Sequence, residues 1–135
     1  MEDDKKTKFE GKSTKVYLEN VMKKVFPGSD EDHLKKTLAE LTSHGCHATG
    51  SIADMVNEDD VARFHQETIN TLGHPDILVN NVGGRRGSAI FEETTMEQFI
   101  EGIHVNLISA VRLSALVLPH MKSGGWGRII NISSI

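Results

Sequence analysis

The sequence is poor in several residue types, and each scarcity excludes something. One cysteine, Cys46, rules out an intrachain disulfide and fits a reducing, cytoplasmic setting. There is no excess of basic charge: 19 acidic against 15 Lys and Arg residues leave a net charge of −4, so no broad basic face is offered to nucleic acid or to an acidic membrane. No apolar run is long. The most apolar stretch, residues 105–118, is interrupted by Asn106, Ser109, Arg112 and Ser114, which reads as too short and too polar to span a bilayer. The N-terminus lacks the apolar segment of a secretory signal. Tyrosine occurs once, as Tyr17, with Val21 four residues later, so the chain holds no Tyr-x-x-x-Lys pair. No glycine-rich phosphate loop opens the chain either: Gly11-Lys12-Ser13-Thr14 has the tail of one, but Lys6 stands where its first glycine belongs.

What is present is a soluble, globular composition sized for one hydrophobic core. Residues 1–14 are polar and Lys-rich; residues 15–135 read as one domain. Short apolar runs alternate with helical patterns. Lys15-Val16-Tyr17-Leu18 is a β-type run. Leu34, Leu38 and Leu41 recur at helical spacing behind a cap at Ser29 or Asp30, up to about His44. Residues 47–52 form a second candidate strand. A helix opening at Asn57 or Glu58 carries Val61, Phe64, Thr68 and Ile69 on one side. Ile77-Leu78-Val79 is a wholly apolar strand of the kind buried on both faces. Thr95 caps a helix running from Met96 to Met121, in one or two segments, and Arg128 to Ile132 forms a last strand. The alternation predicts βαβ units and a parallel sheet.

Three features lie where such a sheet binds ligands, beyond the carboxyl ends of its strands. Asn80-Asn81-Val82-Gly83 follows the apolar strand, and a glycine there lets backbone approach a ligand. Asn106 places an amide among Ile103, Val105, Leu107 and Ile108, where it needs a partner. Ser133-Ser134 follows the final strand. Taken singly, each reads as readily as a turn, a solvent-facing side chain or a cap. His44, Cys46 and His47 match no strong metal spacing, and the remaining histidines are scattered, so no metal site is expected.

Taken in order, Asp76-Ile-Leu-Val-Asn-Asn-Val-Gly83, His104-Val-Asn106-Leu, Pro119-His-Met and Gly127-Arg-Ile-Ile-Asn-Ile-Ser-Ser134 resemble the short-chain dehydrogenase/reductase family in sequence and spacing. The resemblance covers about residues 30–135. It implies a partial, truncated Rossmann-type fold: a doubly wound parallel sheet in three α/β/α layers. It implies an NAD- or NADP-dependent oxidoreductase acting on a small alcohol, ketone or 3-oxoacyl compound by hydride transfer. Asn106 matches the family's active-site Asn, which holds a water of the proton relay. Ser134, 28 residues on, matches the Ser that polarises the substrate oxygen. Asn81, Val82 and Gly83 would lie against the cofactor, with Asp54 and Met55 at its adenine. The family's T-G-x-x-x-G-I-G loop and its Tyr/Lys pair have no counterpart in these 135 residues, so turnover by this chain alone is not expected. Non-catalytic pairing with a full-length relative, or a product without independent function, are the alternatives. The helix containing Asn106 would serve a homo-oligomer contact. Lys15 to Leu18 fits either the first or the second strand of the family sheet; in the second place Glu19 would read the cofactor ribose, and NAD against NADP stays open.

Overall fold

The computed structural model describes residues 16–19, 29–88 and 90–133, with side chains from residue 31 onward. Expectations falling on residues 1–14, on Ser134 and on Ile135 lie outside them.

Three short strands form one parallel sheet: β1 (Val16–Glu19), β2 (Ile77–Asn80) and β3 (Arg128–Asn131), in the order β1-β2-β3. Register pairs Val16 with Ile77 and Glu19 with Asn80 on one side of β2, and Ile77 with Arg128 and Asn80 with Asn131 on the other. β2 therefore has its backbone groups paired on both edges, as a buried strand requires. In the doubly wound order 3-2-1-4-5-6, strand 4 lies between strands 1 and 5. β1 thus stands in the place of strand 1, and the alternative that Lys15 to Leu18 forms the second strand falls.

Two helices precede β2. α1 (Ser29–Ser43) is exposed on most sides; its Leu34 and Leu38 turn toward Gly50. α2 (Glu58–Leu72) is well delimited. Asn57 caps it by accepting from the Asp60 N–H, and Gly73, at φ +81°, ends it with its N–H on the Ile69 carbonyl. The second candidate strand does not form: residues 47–52 run as irregular chain. Their sequence, His-Ala-Thr-Gly-Ser-Ile, has little apolar alternation, and none of the described strands pairs with it.

Between β2 and β3 runs one long helical rod. α3 (Met96–Ile103) opens with a capping box in which Thr95 and Gln98 satisfy each other's free N–H groups. A π-turn comes next over His104–Ile108, closed by the Ser109 N–H on the His104 carbonyl, and α4 (Ser109–Ser123) continues to a turn at Gly124-Gly125. Joined in this way, Met96–Ser123 is long and apolar enough, by length and composition alone, to cross a membrane, which residues 105–118 by themselves are not. One face of it packs into the core, with Ser109, Leu113, Val117 and Met121 buried at helical spacing, while Met96, Phe99, Ile100, Ile103, Leu107 and Val111 stay exposed.

The core joins Leu113, Val117 and Met121 of α4 to Ala53, Met55, Val61, Phe64 and Leu78, with Val82 and Ile129 packed alongside. Leu78, Leu113 and Val117 are wholly inaccessible. α4 covers one face of the sheet, and α2 packs against α4. On the other face Ile77 and Val79 are half-buried and Ile130 is exposed, so β2 is not covered equally on both sides by the described elements.

At the end of the sheet opposite the Asn81–Gly83 loop, His74 stacks on His120 with ring centroids 4.1 Å apart. His65, on α2, is held below the ordinary histidine value, first by burial and then by the charge of His74. A histidine whose folded-state pKa is lowered binds its proton more readily unfolded. Its contribution to stability is present above about pH 6.5 and is lost as the pH falls through that value. The urea midpoint should therefore be lower at about pH 5.5 than at about pH 7.5, and His65→Gln should narrow the difference. An unchanged difference in the variant would show that His65 is not its source.

Candidate functional site

The site is organised by two side-chain amides at the carboxyl end of β2. The first is Asn80. Strand alternation places it on the same face as Leu78, and it is buried. Its Nδ2 donates to Asn131 Oδ1 at 2.8 Å and to Ser114 Oγ at 3.3 Å. One amide therefore ties the ends of two neighbouring strands to the helix lying over them. Its Oδ1 is buried and finds no donor among the described residues, a costly arrangement for an acceptor. The backbone continues the tie: the Ile132 N–H donates to the Asn80 carbonyl at 2.9 Å, fixing the chain as it leaves β3 toward Ser133.

The second amide is Asn106, within the π-turn. Its Oδ1 accepts from the Gly84 N–H at 2.9 Å. Its Nδ2 donates to the Gly84 carbonyl at 2.9 Å and to the Gly102 carbonyl, one turn back in α3, at 2.8 Å. Both N–H bonds and one oxygen lone pair are engaged, so the side chain works as a clamp between the helical rod and the loop after β2. The packing is close: a Cβ on Gly83 would come within 2.9 Å of Asn106 Oδ1, tighter than real contacts allow. The partner that an amide at Asn106 needs is therefore backbone: the N–H of Gly84 and the carbonyls of Gly84 and Gly102.

Asn81 and Gly83 are exposed at this edge and Val82 is half-buried against the core. Asp54 and Met55 sit in the turn leading into α2. The Asp54 N–H donates to Asp60 Oδ2 at 2.8 Å and Asp54 Oδ1 accepts from the Val56 N–H at 3.2 Å. Arg112, from α4, donates to the Val56 carbonyl at 2.6 Å, fastening the turn to the rod. The Met55 side chain is buried in the core, so it can meet a ligand only through its backbone. The structure thus brings Asn81, Val82, Gly83 and Asn106 together, and joins Met55 to the same core as Val82. Ser134 lies outside the described residues.

Sequence reasoning saw Asn80 only as the start of the loop motif after the apolar strand and gave no site role to Asn131, Ser114 or Arg112. The signal for Asn80 and Asn131 was legible: both apolar strands end in Asn, and in parallel register those residues face each other.

The sequence matches the short chain dehydrogenase family over residues 12–135. The chain belongs to that family. It is 34% identical over 122 residues to an uncharacterized oxidoreductase of Bacillus subtilis, covering 90% of this chain and 45% of that protein. It is 35% identical over 101 residues to a 3-oxoacyl-acyl-carrier-protein reductase of Pseudomonas aeruginosa, covering 75% and 40%. Among solved structures it is similar to a 7α-hydroxysteroid dehydrogenase complexed with NADH and 7-oxo glycochenodeoxycholic acid, with TM-score 0.72 and 27% identity over 90% of this chain and 43% of that one. It is likewise similar to an actinorhodin polyketide ketoreductase with NADPH, with TM-score 0.69 and 32% identity over 77% and 40%. The chain spans less than half the length of these proteins.

The residues present fit part of a nicotinamide dinucleotide. The open backbone at Gly83 and the ordered loop around it suit the wall along such a cofactor. The diphosphate is not fitted: in this fold it rests on glycine-rich backbone N–H groups after strand 1, whereas β1 ends on Glu19 and the next glycine is Gly28. The acidic residue considered as a ribose reader therefore stands at the end of strand 1, where the diphosphate would need donors.

Replacing Asn106 by Ala removes three hydrogen bonds from the clamp. The expected cost is about 1–3 kcal/mol, since water can reach part of the site. The Gly84 amide should lose its protection from hydrogen exchange while Leu78 keeps its own; equal protection of Gly84 in both proteins would contradict the clamp.

Proposed function

We propose that this chain carries the cofactor wall and part of the catalytic centre of an NAD- or NADP-dependent oxidoreductase. The substrate class is a small alcohol, ketone or 3-oxoacyl compound, in a cytoplasmic setting. The observation that carries the reading is the Asn106 clamp on Gly84, which sets the family's active-site Asn against the Asn81-Val82-Gly83 loop at the ligand-binding end of β2. The kinds of relative agree with it: a 3-oxoacyl reductase and two structures holding NADH or NADPH.

In this reading the cofactor, when bound, supplies or accepts the hydride, and the protein contributes orientation and electrostatics. Asn81, Val82 and Gly83 line it, Asp54 and the Met55 backbone meet its adenine, and Ser134 polarises the substrate oxygen. Proton transfer needs a general acid of matched pKa within hydrogen-bond reach. Tyr17 is the only tyrosine, lies in β1 and has no lysine four residues on, so these 135 residues hold no donor of the family type. The reading therefore includes inactivity of the isolated chain.

A second reading is favoured by one surface. Met96, Phe99, Ile100, Ile103, Leu107 and Val111 are exposed along α3, the π-turn and α4. Apolar surface of this extent suits a protein contact, either between two copies or with a full-length relative, in which this chain would be a non-catalytic partner. Failure to co-elute with such a relative would count against it.

The test of the first reading is titration of the labelled chain with NADH, monitored by amide shifts, beside an assay with small ketones. We expect binding weaker than micromolar, shifts at residues 54, 55 and 81–84, and no NADH oxidation. Shifts confined to other parts of the chain would overturn the cofactor wall, and steady turnover would overturn the inactivity.

A further inference from the structure

The loop beyond the clamp contains Arg85 and Arg86, and the structure treats them differently. Arg86 is half-buried. Its Nε donates to Glu101 Oε1 at 3.1 Å and its Nη1 to the Arg85 carbonyl at 3.1 Å, so its charge is compensated and it fastens the loop to α3. The other carboxylate bonded into the loop, Glu93, accepts from Ser88 Oγ at 2.6 Å. Arg85 is exposed and has no ion pair among the described residues.

The loop that carries it is built rather than slack. Asn106 holds Gly84 from both its N–H and its carbonyl, immediately before Arg85. Gly87, at φ +84°, packs so closely on Thr94 that a Cβ would come within 2.7 Å of its methyl group, and Thr94 Oγ1 donates to the Ser88 carbonyl at 3.4 Å. The fold therefore fixes one uncompensated guanidinium backbone two residues beyond Gly83, at the edge where ligands lie. Guanidinium pairs with carboxylate and phosphate through parallel N–H bonds, and a preordered backbone lowers the entropy lost in forming them.

We propose that Arg85 is an anion-recognition residue of this site, so that the ligand laid over the end of β2 carries a carboxylate or phosphate within reach of the loop. The proposal deepens the oxidoreductase reading and rests on its placing of the ligand. The shared chemistry has two sources, an anionic substrate or a phosphate of the cofactor.

Both are separated by titrating the 15N-labelled chain and its Arg85→Gln variant with acetoacetate, its neutral methyl ester, inorganic pyrophosphate and NADH, reading the Arg85 side-chain Nε–H and the residue 83–85 amides. Gln keeps polarity and removes the charge, and the spectrum outside the loop checks the fold. The expected result is binding of at least one anion that weakens about tenfold in the variant. Acetoacetate bound in preference to its ester assigns the site to substrate; pyrophosphate or NADH losing affinity while acid and ester behave alike assigns it to cofactor phosphate. If NADH moves residues 81–83 equally in both proteins and no anion distinguishes them, the oxidoreductase reading stands and the Arg85 proposal is overturned. If pyrophosphate is held at Arg85 while NADH leaves residues 81–83 unmoved, the anion site stands and the cofactor wall falls.

Discussion

A single side-chain amide holds the ligand-binding end of this molecule in place. Asn106 bonds Gly84 through both backbone groups and Gly102 through a third bond, and so connects the loop after the central strand to the 28-residue helical rod. The π-turn around Asn106 gives the helix its extra residue there, a feature often associated with functional positions. Asn80 does the complementary work beneath it, tying β2 to β3 and to Ser114 on α4. Without the two amides, β2 and α4 would still share a hydrophobic contact, but the loop would lack a fixed height above the sheet.

The same geometry supports the proposal that family membership and activity separate in this chain. The proposed wall along β2 is ordered, with Gly83 exposed and Val82 seated on the core. The place of strand 1 is filled by β1, yet the chain beyond β1 has no glycine until Gly28. A diphosphate needs several N–H groups converging on it, and the sequence after Glu19 has no glycine-rich run to supply them. Arg85 is then the nearest uncompensated cation to the ordered wall in sequence, which gives it more weight than a surface arginine usually carries.

Much of the fold was legible in the sequence where a periodic pattern coincided with a physical stop. α2 could be bounded to within a residue because Asn57 and Gly73 cap it, and β2 because its short apolar run lies between a turn and an Asn pair. Residues 47–52 were misread because their β-type character is weak and a strand exists only through its neighbour. The site was half legible. Asn106, Asn81, Val82 and Gly83 could be marked by position and resemblance, and the structure brings them together. What Asn106 bonds to, and that Asn80 is the hub of the strand ends, depends on long-range contacts that no local spacing encodes: Asn80 and Asn131 are 51 residues apart. The rod was legible from its cap at Thr95 to within two residues of its end at Ser123; hidden was that Asn106 and Arg112, which break its apolar run in sequence, bond to backbone in the fold.

The central claim is that the ligand-binding edge is assembled by these amides before any ligand arrives. It is tested most directly by the exchange rate of the Asn106 side-chain NH2 protons in the ligand-free chain, measured by NMR. The account predicts two resolved, slowly exchanging protons, one held by the Gly84 carbonyl and one by the Gly102 carbonyl. Exchange at the rate of a free, solvated amide would contradict it.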